Sequence, residues 1–323
     1  MIRGNVLVTG ATGLIGKSIV KRLVSSKDVT VVAVVRNIEK AISLFGNETE
    51  NLKYIVGDVL TLTAINIPID YIIHGASQTS SKAFINEPVE TIMTAIQGTK
   101  NMLDIAIQNS VKGFIYLSSM EVYGNPTDDK KIAEDHNTNI DTMKTRSCYP
   151  ESKRMCESLC ASYVSEYGVP AKVLRLTQTF GPGVEYNDGR VFAEFARCAI
   201  ERKNIVLHTK GMTKRNYLYT EDAVNAILIV LEKGKPGEAY NAANEETYCS
   251  IYEMACIVAQ KCAHGKIKVL VEETDVEKWG YAPFLCMNLD TFKLSELGWH
   301  PEVGLEDMFL KTMFSMKKIN EEN

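Results

Sequence analysis

Three polar side chains in the middle of the sequence have the types and spacing needed to move a proton. Tyr149 and Lys153 are four residues apart, so on a helix they share one face. A phenol with a pKa near ~10 is a weak base at neutral pH, and an adjacent ammonium lowers that pKa. The shift needed is about three units, or roughly 4 kcal/mol, and a bound cationic ring would add to the effect of the lysine. Ser119 ends an apolar run, where it can hydrogen-bond a substrate hydroxyl and share its proton with Tyr149. Glu121 is a second candidate acid, base or hydroxyl acceptor, and an ordinary loop carboxylate is the alternative.

A glycine-rich stretch near the N-terminus has the pattern of a dinucleotide-binding turn. It lies between an apolar run and an amphipathic helical pattern. Gly10 permits a sharp turn, Gly13 lets the backbone approach a pyrophosphate, and Gly16 lets the helix pack closely on the strand. The free N–H groups and the positive dipole end of the helix favour the binding of the phosphates. An ordinary glycine-rich turn is the alternative, which this position makes less favourable.

The elements that must position these residues alternate strand and helix over the first half of the chain. Apolar β-branched runs predict strands, and amphipathic runs predict helices between them. Strands are predicted at 5–9, 29–35, 52–56, 70–74, 113–117 and 171–176, and helices at 14–25, 37–45, 87–109 and 150–167. This βαβ series predicts an α/β fold with a Rossmann doubly wound parallel sheet, whose ligands bind beyond the carboxyl ends of the strands.

The second half has a weaker pattern and predicts a smaller C-terminal α+β domain. Thr220 is predicted to cap a helix over 221–232, and Ser250 with Glu253 forms a capping box. Further predicted elements are helices at 191–202, 251–262 and 305–316 and a strand at 267–271. The predicted division is a dinucleotide-binding domain over 1–180 with a returning segment near 216–243, a substrate-binding domain over 181–215 and 244–316, and a frayed tail over 317–323.

Composition narrows the class of protein. The 323 residues are 45% hydrophobic and 24% charged, with a net charge of −4, which gives no reason to expect a nucleic-acid partner. The first strand begins almost at Met1, leaving no room for a signal peptide, and no apolar run is long enough to cross a membrane. The eight cysteines show no CxxC spacing, so we expect reduced thiols, no metal site and a cytoplasmic protein.

Further motifs along the chain make it resemble the NAD-dependent epimerase/dehydratase family, the extended short-chain dehydrogenase/reductases that act on nucleotide sugars. The matches span nearly the whole length. Besides the glycine turn and the tyrosine–lysine pair, the resemblance rests on Gly57-Asp58-Val59, His74-Gly-Ala-Ser77, Gly98-Thr-Lys-Asn101, residues 175–183, Arg215 with Tyr219-Thr-Glu-Asp222, and Leu297-Gly-Trp-His-Pro301.

The resemblance implies a mechanism and a set of contacts. Tyr149 would take the proton of the sugar 4-hydroxyl while the C4 hydride passes to the nicotinamide, with Ser119 and Lys153 in support, giving a 4-keto sugar. The implied cofactor contacts are Gly10, Thr12, Gly13, Leu14, Ile15, Gly16, Arg36, Asp58 (on the adenine amine), Val59, Gly75, Ala76, Ser77 and Lys153. The implied substrate contacts are Ser119, Glu121, Gln178, Arg190, Val191 and Arg215.

The fate of the keto intermediate separates the family's epimerases, dehydratases, decarboxylases and reductases. Met120 cannot protonate a leaving hydroxyl, which disfavours a simple 4,6-dehydratase. The Ser-x-Glu-Val-Tyr-Gly form and residues 187–191 are similar to the UDP-glucuronate decarboxylases. Gln178 and Thr94 stand where the family usually has asparagine, and Met120 departs from the decarboxylase pattern too, which indicates an unusual sugar. We therefore expect an epimerase or a decarboxylase-like enzyme.

The choice between NAD and NADP depends on Arg36. An NAD enzyme usually ends its second strand with an acid, whereas Arg36 can hold a 2′-phosphate and slightly favours NADP. An arginine stacked on adenine is the alternative.

Two other functions stay open. One is an NADPH-dependent reductase of a keto sugar or other carbonyl. The other is a non-catalytic redox sensor that binds NADP, because residues 35–41 resemble the turn of such sensors. The sensors lack the tyrosine–lysine pair, which counts against the latter.

The expected partners are few. In the family the long helices corresponding to 87–109 and 150–167 form a dimeric four-helix bundle, so we expect a homodimer. The same apolar residues could also pack on the sheet. A nucleotide-sugar substrate is the other expected partner, with no nucleic acid and no membrane.

Overall fold

A parallel sheet forms the centre of the protein. The computed structural model describes residues 2–273 and 284–322. The sheet contains β1 (Gly4–Thr9), β2 (Val29–Val35), β3 (Leu52–Val56), β4 (Tyr71–His74), β5 (Gly113–Ser119), β6 (Ala171–Leu176) and β10 (Ala239–Ala242). These seven strands are all parallel and follow the order β10-β6-β5-β4-β1-β2-β3. The predicted α/β doubly wound fold is confirmed.

Helices cover both faces of this sheet because its strands are apolar on both sides. In β1, Val6 and Val8 belong to one core and Leu7 to the opposite one. The first core lies under α1 (Leu14–Val24) and α7 (Thr220–Lys233). The second lies under α4 (Pro88–Asn109) and α5 (Cys148–Tyr167). The shorter helices α2 and α3 span Ile38–Phe45 and Ser81–Asn86.

A smaller unit follows β6 and has its own core. Its strands are β7 (Gln178–Phe180), β8 (Ile205–Leu207), β9 (Lys214–Tyr219), β11 (Asn244–Ser250), β12 (Val269–Val271) and β13 (Cys286–Met287). β9 pairs with β7, β11 and β13, while β8 pairs with β12. Its helices are α6 (Val191–Glu201), α8 (Ile251–Ile257), a π-helical continuation (Val258–Cys262) and α10 (Leu305–Glu322), whereas α9 (Phe292–Ser295) packs beside β10 on the core of the main sheet. Residues 274–283, within the predicted substrate domain, lie outside the described residues.

Several predicted boundaries change. Thr220 is the first residue of α7 and not its cap, because Tyr219 still has the extended backbone of β9. The capping box of Ser250 and Glu253 is confirmed. α10 continues to Glu322, through most of the tail predicted to fray, because no glycine or proline interrupts it. None of the described helices is both long and apolar enough to cross a membrane.

Candidate active site

The glycine turn is tightly fitted to the sheet. Gly10 has a φ of +69°, and a Cβ there would lie 2.8 Å from the carbonyl carbon of Gly75. A Cβ on Gly16 would lie only 2.1 Å from the Gly10 carbonyl oxygen. Gly13 stands before α1, where no side chain caps the first N–H groups. The turn therefore has the backbone cradle and the helix start that fit a dinucleotide pyrophosphate.

A buried histidine on β4 connects this turn to that neighbouring strand. The Thr9 hydroxyl accepts the Ala76 N–H at 3.1 Å and lies 2.7 Å from His74 Nδ1. His74 Nε2 lies 3.2 Å from the Thr99 hydroxyl. Because a threonine hydroxyl can both donate and accept, either neutral tautomer of His74 satisfies the contacts with Thr9 and Thr99. Burial, with the Lys153 charge adding to it, lowers the pKa of His74 to about 3, so the ring is neutral.

The motif on α4 holds the loop that contains the predicted adenine contact. The Asn101 side chain donates to the carbonyls of Val59 at 2.8 Å and Leu60 at 3.0 Å. A Cβ on Gly98 would approach the Val59 side chain to 2.8 Å, so this helix packs directly against the loop. Asp58 accepts the Leu60 N–H at 2.9 Å. The loop after β3 is thus held in place by backbone and amide bonds.

The other predicted cofactor residues lie along the same edge of the sheet. Arg36 is exposed directly after β2. The remaining residues stand in the turn after β1, at the start of α1 and directly after β4: Thr12, Leu14, Ile15, Gly75, Ala76 and Ser77.

The three proton-transfer candidates meet at the end of β5. Ser119 is the last residue of that strand, and its hydroxyl accepts the Glu121 N–H at 3.2 Å. Tyr149 and Lys153 lie on α5, 8% and 3% exposed. Lys153 Nζ donates to the Leu117 carbonyl at 2.8 Å and lies 5.8 Å from the centre of the Tyr149 ring. Ser119 lies close enough to Tyr149 to lower the pKa of its hydroxyl by hydrogen bonding.

The expected lowering of the pKa of Tyr149 is wrong for the protein groups taken alone. Burial raises this pKa above its ordinary value, and the Glu121 carboxylate raises it further. Ser119 and Arg146 lower it by less. Burial also lowers the pKa of Lys153 to about 8. Desolvation dominates because both groups are enclosed, and the Lys153 ammonium bonds a carbonyl and not the phenol.

Sequence reasoning missed two residues that shape this site. Arg146 binds both oxygens of Glu121 through one nitrogen, at 2.8 and 3.0 Å. Its guanidinium lies 4.6 Å above the ring of Phe84, which stacks on Tyr149 with centroids 4.4 Å apart. A basic residue three positions before the tyrosine was the only available signal, and its partners are distant in sequence.

A second buried network lies under the end of β5. Ser118 donates to Glu157 at 2.5 Å, and Glu157 forms an ion pair with Arg175 at 2.7 Å. Arg175 also donates to the Tyr123 hydroxyl at 2.7 Å. Ser118 and Arg175 therefore belong to the scaffold beneath the site, while Ser119 lies at its surface.

The predicted substrate residues are less closely joined. Gln178 begins β7 and pairs in register with Tyr217 of β9. Arg215, also on β9, has a buried Nε without a hydrogen-bond partner in the described residues. Arg190 is exposed and ion-paired with Asp188 at 2.5 Å, and Val191 begins α6 beside it. No described contact links Arg190 to Ser119 or Tyr149.

Known proteins of similar sequence and structure share this architecture. The profile of the NAD dependent epimerase/dehydratase family matches residues 6–243. UDP-glucuronic acid decarboxylase 1 of Xenopus tropicalis is 30% identical over 98% of this chain and 73% of its own length. Human dTDP-D-glucose 4,6-dehydratase is 28% identical over 95% of this chain and 88% of its own length. UDP-glucuronic acid 4-epimerase of Bacillus cereus, solved with UDP-glucuronic acid and NAD, superimposes with a TM-score of 0.80 at 22% identity, covering 98% of this chain and 99% of that one.

Proposed function

The chain belongs to the NAD dependent epimerase/dehydratase family and is an enzyme, and on this basis we propose that it oxidises the sugar of a nucleotide sugar at C4. The observation that carries the proposal is the meeting of Ser119, Tyr149 and Lys153 beside the glycine turn. Because β1, β4 and β5 are adjacent, the turns that follow them share one edge of the sheet. A dinucleotide bound there would accept the C4 hydride.

Each residue of the triad has a distinct task. Ser119 would hold the 4-hydroxyl by a hydrogen bond, and Tyr149 would remove its proton. Lys153 together with the cationic ring of a bound cofactor would supply the positive charge that lowers the pKa of Tyr149 against the effect of burial. Glu121 would accept a bond from a further sugar hydroxyl, since Arg146 holds its carboxylate in place and its charge acts on Tyr149.

The site favours an epimerase or a decarboxylase-like enzyme over a simple dehydratase. Met120 is buried in an apolar cluster, where its sulfur lies 3.3 Å from the Thr177 hydroxyl, which donates to the Asn216 carbonyl. The neighbouring Glu121 carboxylate is engaged with Arg146. Neither residue therefore offers a proton to a leaving hydroxyl.

The remaining assignments are also proposals. The dinucleotide would contact the glycine turn, Arg36, the Asp58–Val59 loop, the residues after β4 and Lys153. The sugar nucleotide would contact Gln178, Arg190, Val191 and Arg215 besides the triad. Within the proposed division at residue 180, the return of 216–243 to the first domain is supported by the packing of α7 on the first core and the pairing of β10 with β6, whereas β7 and residues 216–219 pair within the smaller sheet.

The cofactor is proposed to be NAD or NADP. Exposed Arg36 supports NADP, whereas the B. cereus epimerase was solved with NAD. If NADP is released after each turnover, we favour a second function, the reduction of a keto sugar or other carbonyl.

Product masses from a panel of UDP- and dTDP-sugars would test these functions. An unchanged mass with a changed sugar identifies epimerisation, loss of CO2 decarboxylation, loss of water dehydration, and gain of two hydrogens reduction. Tyr149→Phe should lose roughly 10²–10⁴-fold in turnover and still bind the cofactor. Tyr163→Phe, on the same helix but bonded to Asp104, is the matched control. Full activity of Tyr149→Phe would refute the proposal.

A homodimer is proposed from the outer faces of α4 and α5. Val89 and Met93 of α4 are 67% and 45% exposed, and Met155 of α5 is 50% exposed. Such apolar side chains favour contact with a second copy. Light scattering at micromolar concentration should give twice the 36.0 kDa chain mass, and a monomeric mass would refute the dimer.

A further inference from the structure

We infer that Tyr116 is a positioning residue for Lys153, whose ammonium rests on the face of the Tyr116 ring. Tyr116 lies on β5 directly before Leu117, whose carbonyl accepts the bond from Lys153 Nζ at 2.8 Å. The same Nζ lies 4.7 Å from the centre of the Tyr116 ring, within the range of a cation–π contact. This inference rests on the proposed function insofar as Lys153 acts in the reaction.

The ammonium has little other support. In the described residues no carboxylate forms an ion pair with Lys153, and the Leu117 carbonyl is its one hydrogen-bond partner. The titratable groups that face it are His74 from β4, Tyr116 from β5, and Tyr149, Cys156, Glu157 and Cys160 from α5. His74 is neutral, so it adds no positive charge that would repel the ammonium. The Glu157 carboxylate raises the pKa of Lys153, and the electron-rich ring adds to this effect in compensating for the burial of the charge.

The part of Tyr116 that lies against Nζ is its ring face. Tyr116 is 1% exposed, and its hydroxyl lies beside the Cys156 thiol and forms no hydrogen bond with any other described residue. A phenylalanine would fill the same core without burying that hydroxyl. Because the ring of Tyr116 lies under Nζ, we attribute its role at this position to the ring face.

The sequence supplies a matched control on the same strand. Phe114 is two residues before Tyr116, so its side chain points to the same face of the sheet. It is fully buried in the same core and lies 6.3 Å from His74, against 5.7 Å for Tyr116. Removing its ring disturbs the packing similarly but leaves the Lys153 contact in place.

The first measurement is the titration of Lys153 by NMR. Lysine labelled at the ε-carbon would be followed with pH, with Lys153→Met assigning the signal. Tyr116→Leu should lower the pKa of Lys153 by about one unit, since the charged form loses the ring. Tyr116→Phe and Phe114→Leu should each stay within about 0.3 units of the parent protein. Equal shifts in Tyr116→Leu and Phe114→Leu, or a Tyr116→Phe shift as large as that of Tyr116→Leu, would overturn the inference.

Fluorinated phenylalanines at position 116 keep the test valid where Tyr116→Leu fails to fold. Phenylalanine, difluorophenylalanine and pentafluorophenylalanine have nearly the same shape but a progressively weaker negative ring face. The pKa of Lys153 should fall stepwise along this series, and a flat series would contradict the cation–π contact.

The pH profile of turnover connects the contact to the reaction. The alkaline limb of kcat/KM should move to lower pH in Tyr116→Leu, by the shift that NMR gives, and return in Tyr116→Phe. An unmoved limb would overturn the positioning role. Full activity of Tyr149→Phe would instead refute the proposed function, while the NMR titration would still decide the contact with Tyr116.

Discussion

The two halves of the candidate site are constructed in opposite ways. Around the glycine turn, polar side chains bond one another or the backbone, as Thr9, His74 and Asn101 do. On the substrate side, Arg215 Nε and the Tyr217 hydroxyl are buried on β9 without a partner in the described residues. The first half is preorganised by its own contacts, and we propose that the unpaired groups of the second bind the nucleotide sugar. Substitutions in the two halves should therefore differ in whether they change stability or binding.

The largest effect is expected from the closest packing of the cofactor half. Alanine at position 16 would place a Cβ 2.1 Å from a backbone carbonyl oxygen, so Gly16→Ala should destabilise the fold by about 1–3 kcal/mol or more and abolish cofactor binding. At Gly13 the nearest atom would be 3.3 Å away. Gly13→Ala should cost about 0.5–1 kcal/mol, less than Gly16→Ala, because alanine is a poorer N-cap than glycine, and it should bind the cofactor more weakly.

Thermal unfolding and fluorescence titration with NADH and NADPH would measure both properties of these variants. The comparison fails if Gly16→Ala unfolds and binds as the parent protein does. It is sharpened if Gly13→Ala separates binding from stability.

Sequence reasoning succeeded where local pattern determines structure. The runs that became β2, β3 and β6 were predicted at both ends, because buried parallel strands are continuous apolar segments. The strands β7 and β9 were missed. They are short or polar, and their pairing joins Gln178 to Tyr217, far apart in sequence.

The same reason explains which site residues were found. The glycines and the tyrosine–lysine pair are local motifs that sequence spacing reveals. Arg146 was missed because its role depends on Glu121, 25 residues away, and on Phe84 in an unpredicted helix. The pKa of Tyr149 was misjudged because spacing gives the neighbouring charge but not the burial.

The next largest effect tests the substrate half. Arg215→Gln should weaken binding of UDP roughly 10- to 100-fold, since bonds to a charged group are worth about 1.5–3 kcal/mol. Its stability and cofactor affinity should remain unchanged. The neighbouring Lys214→Gln is the control, because Lys214 is already paired with Asp129 at 3.0 Å. Calorimetric titration giving equal losses in both variants would show that Arg215 has no special role.

A smaller effect concerns the pH dependence of stability in the cofactor half. The pKa of His74 is lowered from 6.5 to about 3 in the folded protein, so below pH 6.5 the unfolded chain binds the extra proton. Stability from this residue is complete above pH 6.5 and falls by up to about 1.4 kcal/mol per unit as pH decreases toward 3. His74→Gln should remove this slope.

Denaturant unfolding between pH 7 and 5 measures the difference between the parent protein and His74→Gln, which cancels the carboxylates common to both. The difference in unfolding free energy should shrink as pH falls. A difference that is constant over this range would show that His74 is not held neutral by burial. The contrast between the two halves would then lack its main buried polar link in the cofactor half.

The smallest effect is expected at Arg36, where the cofactor half is open to solvent. An exposed guanidinium binds a 2′-phosphate through a screened contact worth about 1 kcal/mol, so Arg36→Gln should change the NADP-to-NAD affinity ratio by roughly fivefold to tenfold. The loss should fall on NADP alone and diminish at high salt. Lys40→Gln, exposed on the adjacent α2, controls for general charge. An unchanged ratio in Arg36→Gln would assign this arginine to adenine stacking. The rest of the turn would then accommodate NAD as well as it accommodates NADP.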